Sequence, residues 1–349
     1  MKFKHFAIGT LAVLAALAVT GCAKNPSTEA NAAAKRYFDA WMKINYPSAT
    51  ASGLGIYIIE DTPGNGAAYP AETPYAMLKY TARDLDGIIS DSNVEAIVQQ
   101  LGAYNKTYYY GPKVFRITSN YAGLENALSG MRIGGKRKVI IPSWLMTYYR
   151  YDTPADYLSV ESGNSNTIYD IELCDFTDDI NKWQVDSIER YLARTLGHVD
   201  SSYVGGDTTA AKYGFYFKLL RESPDTVTIR SDSTFYINYI GRLLNGQVFD
   251  TTIEDTAKVY GIYSASRTYG PVTVKKGEKY SEVKMGDTDA TTEGSSVIDG
   301  FGGAIFLMQP YEKATTVFYS PLGYKESGQG NMLPPYSPLR FDIELVDAP

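Results

Sequence analysis

The stretch YINYIGRLLNGQVFDTT, Tyr236 to Thr252, sets a carboxylate, Asp250, directly after Phe249 at the end of an apolar run. Aspartate is depleted from strands and is rarely buried without a partner, so its place needs a chemical reason. The partners that aspartates usually serve in catalysis are scarce. The 349 residues contain 2 histidines and 2 cysteines. His5 lies in an N-terminal leader. His198 follows Leu196-Gly197 at an expected helix end, where a cation or a capping partner is the ordinary role. One histidine cannot build a His-rich metal site, and a Ser-His-Asp arrangement would rest on His198 alone. Metal, nucleophilic and His-based acid–base catalysis are therefore not expected, nor is a cofactor. Gly302-Gly303 beside a helix start suggests an anion site, but a full phosphate loop is missing, and "DGFGG" reads better as close packing of a helix on a sheet. The net charge of −6 argues against nonspecific nucleic-acid binding, which needs a basic footprint.

The leader itself has a pattern. Lys2 and Lys4 form a basic start, and Phe6 to Val19 is an apolar run too short to span a bilayer comfortably. "AVTGC" follows, and a small-residue stretch ending in Gly-Cys resembles a bacterial lipobox. The resemblance implies cleavage before Cys22 and lipidation of its thiol, with residues 1–21 as signal peptide and 22–27 as a polar tether. Several acyl chains on one residue suffice for stable anchoring. The expected location is the bacterial cell envelope, lipid-anchored and either periplasmic or surface-exposed. Cys174 is then the one usable thiol, and no intrachain disulfide is expected.

The elements that must position Asp250 occur twice. "GIYIIEDTPG" starts at Gly55 and "GFYFKLLRES" at Gly214; "KYTARDLDG" holds Tyr80 and "NYIGRLLNG" holds Tyr239. Both pairs lie 159 residues apart, as do Gly87 and Gly246. Each copy ends in a similar strand, "YDIELCDF" from Tyr169 and "FDIELVDA" from Phe341, now 172 apart, so the second copy carries a net insertion of 13 residues. The polar segment Lys279 to Ser296 reads as an exposed loop holding it. A helix precedes each copy: Ala34, Phe38, Trp41 and Ile44 recur at helical spacing between Ser27 and Pro47. Ile180, Trp183, Ile188 and Leu192 do so after a cap at Asp178 or Asp179 and before Gly197. Trp41 and Trp183 read as packing anchors. The runs "YAMLKYTA", "KRKVIIPSW", "TFYINYIG" and "TTVFYSP" read as strands, with one short helix per copy at "LENALSGM" and "FGGAIFLM". The expectation is an α+β protein of two similar, mostly antiparallel domains, 28–177 and 178–349. The 30 tyrosines suit solvated strand faces, or a surface sticky to unfolded peptides or glycans.

The second copy resembles the FKBP-type peptidyl-prolyl isomerases over most of Tyr213 to Val346. The residues that carry the resemblance are Tyr239-Ile240-Gly241, Leu244-Asn245-Gly246, Phe249-Asp250 and "VIDGF" from Val297 with Met308 closing the helix. "LGYKESGQGNMLPP", with Tyr324 eleven residues before Pro335 of the Pro334-Pro335 pair, and the final "FDIEL" complete the set. The resemblance implies two FKBP-like domains, each an antiparallel sheet wrapped around a short helix. It also implies a prolyl pocket in the second, with proline-containing polypeptides as partners. Phe301 would be its floor, in place of the usual Trp. Tyr239, Phe249, Val297, Ile298 and Phe341 would form its sides. Tyr324 would donate a hydrogen bond to a substrate carbonyl, and so would the Ile298 amide. Asp250 would sit at the rim, accepting a hydrogen bond or holding tyrosine hydroxyls. Lys325 replaces a usual Gly.

The first copy keeps the family's "MRIGGKRKVIIP", Met131 to Pro142, together with Tyr80 and Asp91. Ser90 stands where the pocket Phe belongs and Leu124 where the floor belongs. "SWLMTYY" offers Thr147 or Tyr148 near the expected Tyr, and no Pro-Pro loop follows. This copy is expected to have an eroded pocket and to be weak or inert. Two functions compete: an envelope-anchored isomerase that assists the folding of exported proteins, or a lipoprotein that holds peptides or partners without catalysis. A surface glycan-binding lipoprotein is a third and weaker reading.

Overall fold

The computed structural model describes residues 30–161, 163–197, 213–224, 233–286 and 294–346. The leader, Cys22 and His198 lie outside the described residues. The first half runs α1 (Ala32–Asn45), β1 (Tyr57–Thr62), β2 (Tyr75–Arg83), β3 (Ile89–Ser92), α2 (Glu95–Gln100), β4 (Lys113–Arg116), α3 (Ala122–Leu128), β5 (Lys136–Ile141), α4 (Pro154–Ser159) and β6 (Thr167–Thr177). The second half runs α5 (Ile180–Thr195), β7 (Phe215–Arg221), β8 (Thr234–Leu243), β9 (Val248–Thr251), α6 (Glu254–Tyr260), β10 (Val272–Lys275), β11 (Lys284–Met285), β12 (Ser295–Ser296), α7 (Asp299–Leu307), β13 (Lys313–Phe318) and β14 (Leu339–Val346).

The strands form two antiparallel sheets. The first has the order β1-β5-β6-β2-β3, with β4 also on β2; the second has β12-β11-β10-β8-β14-β13-β7, with β9 also on β8. Removing β11 and β12 leaves one topology written twice. The register is also repeated: Tyr80 faces Ile171 as Tyr239 faces Ile343, and Ala82 faces Asp91 as Gly241 faces Asp250. Side-chain alternation explains why these segments are strands. In β14, Leu339, Phe341, Ile343 and Leu345 are buried, while Asp342 lies outward and bonds Arg242 and Arg340. A period of two buries one face and solvates the other. Each sheet wraps its own core around a helix: Leu124 and Leu128 of α3 in the first, Phe301 and Ile305 of α7 in the second. The fold is α+β, in two domains of FKBP-like architecture, each preceded by a helix.

The leading helices have distinct contacts. In α1, Phe38 and Met42 are buried while Ile44 is exposed, so the stripe is narrower than the spacing predicts. Trp41 is half-buried, with its ring 5.7 Å from that of Tyr46. In α5, Asp179 caps by accepting from the Lys182 amide at 3.0 Å, and Ile188, Tyr191 and Leu192 pack on Tyr216 and Val317. Trp183 is also half-buried; its indole N–H donates to Asp175 at 2.8 Å.

Three expectations need correction. The strand through "KRKVIIPSW" ends at Ile141, because Pro142 has no amide to give the ladder; Trp144 sits in a single 3₁₀ turn, Ser143–Leu145. Short helices α2, α4 and α6 exist besides the one expected per copy. The segment 279–296 is not simply an exposed loop. Tyr280–Glu282 forms a 3₁₀ turn, Val283 is fully buried, and β11 and β12 extend the sheet.

Candidate functional site

Tyr239 projects from β8 with its backbone locked on both sides. Its N–H donates to Thr252 Oγ1 at 3.0 Å, and its carbonyl accepts from Thr251 Oγ1 at 2.8 Å. Phe249 and Asp250 come from β9, Phe301 from the first turn of α7, and Phe341 from β14. The rings meet edge to face: Phe301 to Phe341 at 4.9 Å, Tyr239 to Phe301 at 5.3 Å and Phe249 to Phe341 at 5.6 Å between centroids. Such tilted pairs favour the quadrupoles of the rings. Phe318 stacks behind Phe341 at 5.9 Å.

This meeting of rings requires a glycine. A Cβ on Gly241 would lie 2.8 Å from both Phe249 and Phe341. In the first copy Ala82 holds the matching place, and Ser90 replaces the phenylalanine, so the methyl group has room. Similar close approach explains "DGFGG". A Cβ on Gly300 would sit 2.4 Å from the Phe318 ring, and one on Gly302 would sit 2.6 Å from the Tyr280 carbonyl oxygen.

All eight expected site residues fall in one region. Tyr239, Phe249, Phe301 and Phe341 belong to the second core; Val297, Ile298 and Tyr324 pack half-buried against it; and Asp250 joins through Tyr239. The Tyr239 hydroxyl donates to Asp250 at 2.6 Å. Burial first, and the Asp250 charge second, push that hydroxyl far above the ordinary tyrosine range, so it is a donor at neutral pH. Tyr324 is raised by burial and then by Asp250, and its hydroxyl donates to no described residue. The same holds for the Ile298 amide. Lys325 is exposed at φ +54°, a left-handed position that glycine occupies without steric cost. Pro334 and Pro335 line a groove of about 300 Å³ between the two halves, with Trp183, Tyr109 and Tyr336.

One residue was not anticipated. Arg267 forms an ion pair with Asp250, and its guanidinium lies 5.5 Å from the centre of the Tyr269 ring. Aligning the copies sets "GIYSASRTYGP" on "GAYNKTYYYGP" and puts Arg267 opposite Tyr108, which marks a difference between the copies but does not name its partner.

The first copy has not simply lost its hollow. Tyr80 donates to Asp91 as Tyr239 does to Asp250. With Ser90 and Leu124 in place of two large rings, a cavity of about 350 Å³ lies between Tyr80, Asp91, Phe115, Tyr121, Tyr148 and Tyr169. Tyr148, and not Thr147, reaches it. Among the described residues, no group of three His, Cys, Asp or Glu side chains could hold a metal ion, and no helix is long and apolar enough to cross a membrane.

Part of the chain is similar in sequence to known proteins. Residues 269–346 match the family model of the FKBP-type peptidyl-prolyl cis-trans isomerases. The chain is 29% identical over 143 residues to a "Probable FKBP-type peptidyl-prolyl cis-trans isomerase" of Haemophilus influenzae, covering 41% of this chain and 46% of that protein. It is 31% identical over 116 residues to the "Macrophage infectivity potentiator" of Trypanosoma cruzi, covering 33% and 43%. The chain thus spans about half the length of these relatives. A solved structure of the three FKBP domains of wheat FKBP73 aligns with 85% of this chain and 98% of its own, at 17% identity and a TM-score of 0.29, too low to carry weight. Phe301, Tyr324 and Phe341 all fall inside the matched segment, so residues 269–346 resemble an FKBP-type peptidyl-prolyl cis-trans isomerase domain.

Proposed function

We propose that the chain is a peptidyl-prolyl cis-trans isomerase whose working pocket is in residues 178–349, with residues 28–177 as a domain of different lining. The observation that carries this reading is the convergence of Tyr239, Phe249, Phe301 and Phe341 beneath the Tyr239–Asp250 hydrogen bond. Rotation about an X–Pro bond is slow because resonance holds the amide planar, with a typical amide barrier of ~18–20 kcal/mol. In the twisted transition state that resonance is lost, and the carbonyl oxygen carries less charge. An apolar wall favours this state over the planar, better-solvated amide. Phe301 is the floor beneath the prolyl ring, and Tyr239, Phe249, Val297, Ile298 and Phe341 form the sides. The free Tyr324 hydroxyl and Ile298 amide donate to substrate carbonyls. Asp250 holds the Tyr239 hydroxyl in place, and Arg267 holds Asp250. No nucleophile or metal takes part.

The substrates are proline-containing polypeptides, and the proposed role is to assist folding of exported proteins from a lipid anchor at Cys22. Exchange of a short X–Pro peptide, followed by NMR with the whole chain, tests the activity. The uncatalysed step takes about 10–100 s, and the chain should shorten it. A Cys22→Ser variant should leave the membrane fraction or remain uncleaved; a variant that loses its leader and still stays with membranes through high-salt washing would sink the anchor.

A second reading, peptide binding without catalysis, draws on the close packing of the four rings, each at most 7% exposed. An unchanged exchange rate together with saturable peptide binding selects it.

A further inference from the structure

The cavity of the first domain differs in chemistry from the aromatic cluster of the second. Its walls are the rings of Tyr80, Phe115, Tyr121, Tyr148 and Tyr169. Tyr121 and Tyr148 lie 4.6 Å apart between centroids, and Tyr80 packs edge-on against Phe115 at 5.4 Å. Tyr148 stands at the mouth, 60% exposed, while Leu124 closes the bottom at 5%. Asp91 is the one charged residue among those that line it. The nearby Arg150 is already engaged with Glu125 at 2.6 Å.

In the second domain the matching carboxylate has a cation of its own. Asp250 is paired with Arg267, which also lies against the Tyr269 ring. In the first domain Tyr108 occupies the place of Arg267, and no described cation pairs with Asp91. The hydroxyls around it are neutral at neutral pH: Tyr121 is pushed up to about 12 by its hydrogen bond with Tyr148 and then by burial, and Tyr169 to about 12 by burial. The site thus combines a ring of π faces, one uncompensated carboxylate and a volume of about 350 Å³, within the range of small-ligand pockets. Aromatic faces attract organic cations, most strongly where water is excluded.

We propose that this cavity binds the organic cation of a basic side chain, arginine or lysine, between the tyrosine rings and against Asp91. That the cation arrives on a polypeptide rests on the proposed function; the preference for a cation does not.

The test uses the full chain and two probes, N-acetyl-arginine amide and its neutral isostere N-acetyl-citrulline amide, titrated by NMR. The arginine probe should bind saturably and about tenfold more tightly than the citrulline probe. Asp91→Asn should weaken the arginine probe about five- to tenfold and leave the citrulline probe unchanged. Asn keeps an acceptor for the Tyr80 hydroxyl, so the fold has no reason to change. Should that variant unfold, Tyr148→Ala at the exposed mouth carries the test, with an expected loss of about threefold. Equal affinity for the two probes, no binding of either, or arginine binding untouched by the variant that folds overturns the proposal. X–Pro exchange in the same samples should not respond to Asp91→Asn, so a failure of the cation site is separable from a failure of the isomerase reading.

Discussion

Asp250 draws its position from two partners of different kind, the Tyr239 hydroxyl at 2.6 Å and the Arg267 guanidinium. A carboxylate beside a phenylalanine is tolerable because both of its oxygens are engaged. Truncating Phe249 or Phe341 to Ala would leave cavities costing about 3–5 kcal/mol, so lost activity there would be confounded with lost folding. Tyr324→Phe and Asp250→Asn keep shape and remove a donor or a charge. Each should lower the catalysed X–Pro exchange through a hydrogen bond of about 0.5–1.5 kcal/mol, roughly two- to tenfold, with cooperative urea unfolding kept. A rate equal to that of the parent chain in both variants would remove Tyr324 and Asp250 from the mechanism.

At the scale of elements, α7 is held between the sheet and the inserted segment. Gly300 lets it approach Phe318, and Gly302 lets the 280–282 turn approach it. Gly302→Ala should displace that turn, because the new Cβ meets a backbone oxygen at 2.6 Å, which cannot rotate away. Hydrogen exchange should rise at 280–286 while β14 stays protected; unchanged exchange would show that the turn yields freely. The frame was legible in the sequence because it rests on local patterns. The alternation of β14, the Asp179 cap and the 159-residue repeat all survive without tertiary information. Other features depend on sums over distant residues and were not legible. Val283 is buried inside a polar run. Arg267 reaches Asp250 from another loop. The first-domain cavity is what remains when Ser90 and Leu124 replace large rings, and no single motif spells out a volume.

At the scale of the molecule, buried tyrosines couple folding to alkaline pH. Tyr69 and Tyr169 are each raised to about 12, chiefly by burial, against a value near 10 in the unfolded chain. A raised pKa means that the folded state keeps its proton longer. The stability from these two groups is therefore complete below about pH 10 and is lost as pH climbs towards 12. Urea midpoints at pH 8 and 11 should fall in that order, and equal midpoints would contradict the burial of both hydroxyls. The two halves pose the larger question of whether they share one folding transition. Each sheet encloses its own apolar cluster. What joins them is modest: Tyr109 N–H to the Asn331 carbonyl at 2.8 Å, Gln247 to the Thr107 carbonyl at 3.0 Å, the Trp183 indole N–H to Asp175 at 2.8 Å, the Tyr75 and Tyr336 rings 5.5 Å apart, and the Tyr109 side chain packed on the second core. Net hydrogen bonds of about 0.5–1.5 kcal/mol each shift a stability without creating one. Between them β6 ends at Thr177 and α5 begins at Ile180, and α5 packs on the second sheet through Ile188 and Leu192. A fragment from Asp178 onward should therefore unfold cooperatively in urea and keep the X–Pro exchange, with a midpoint below that of the whole chain because Tyr109 and Thr107 are gone. A gradual, non-cooperative transition in that fragment would mean that the second core depends on the first domain.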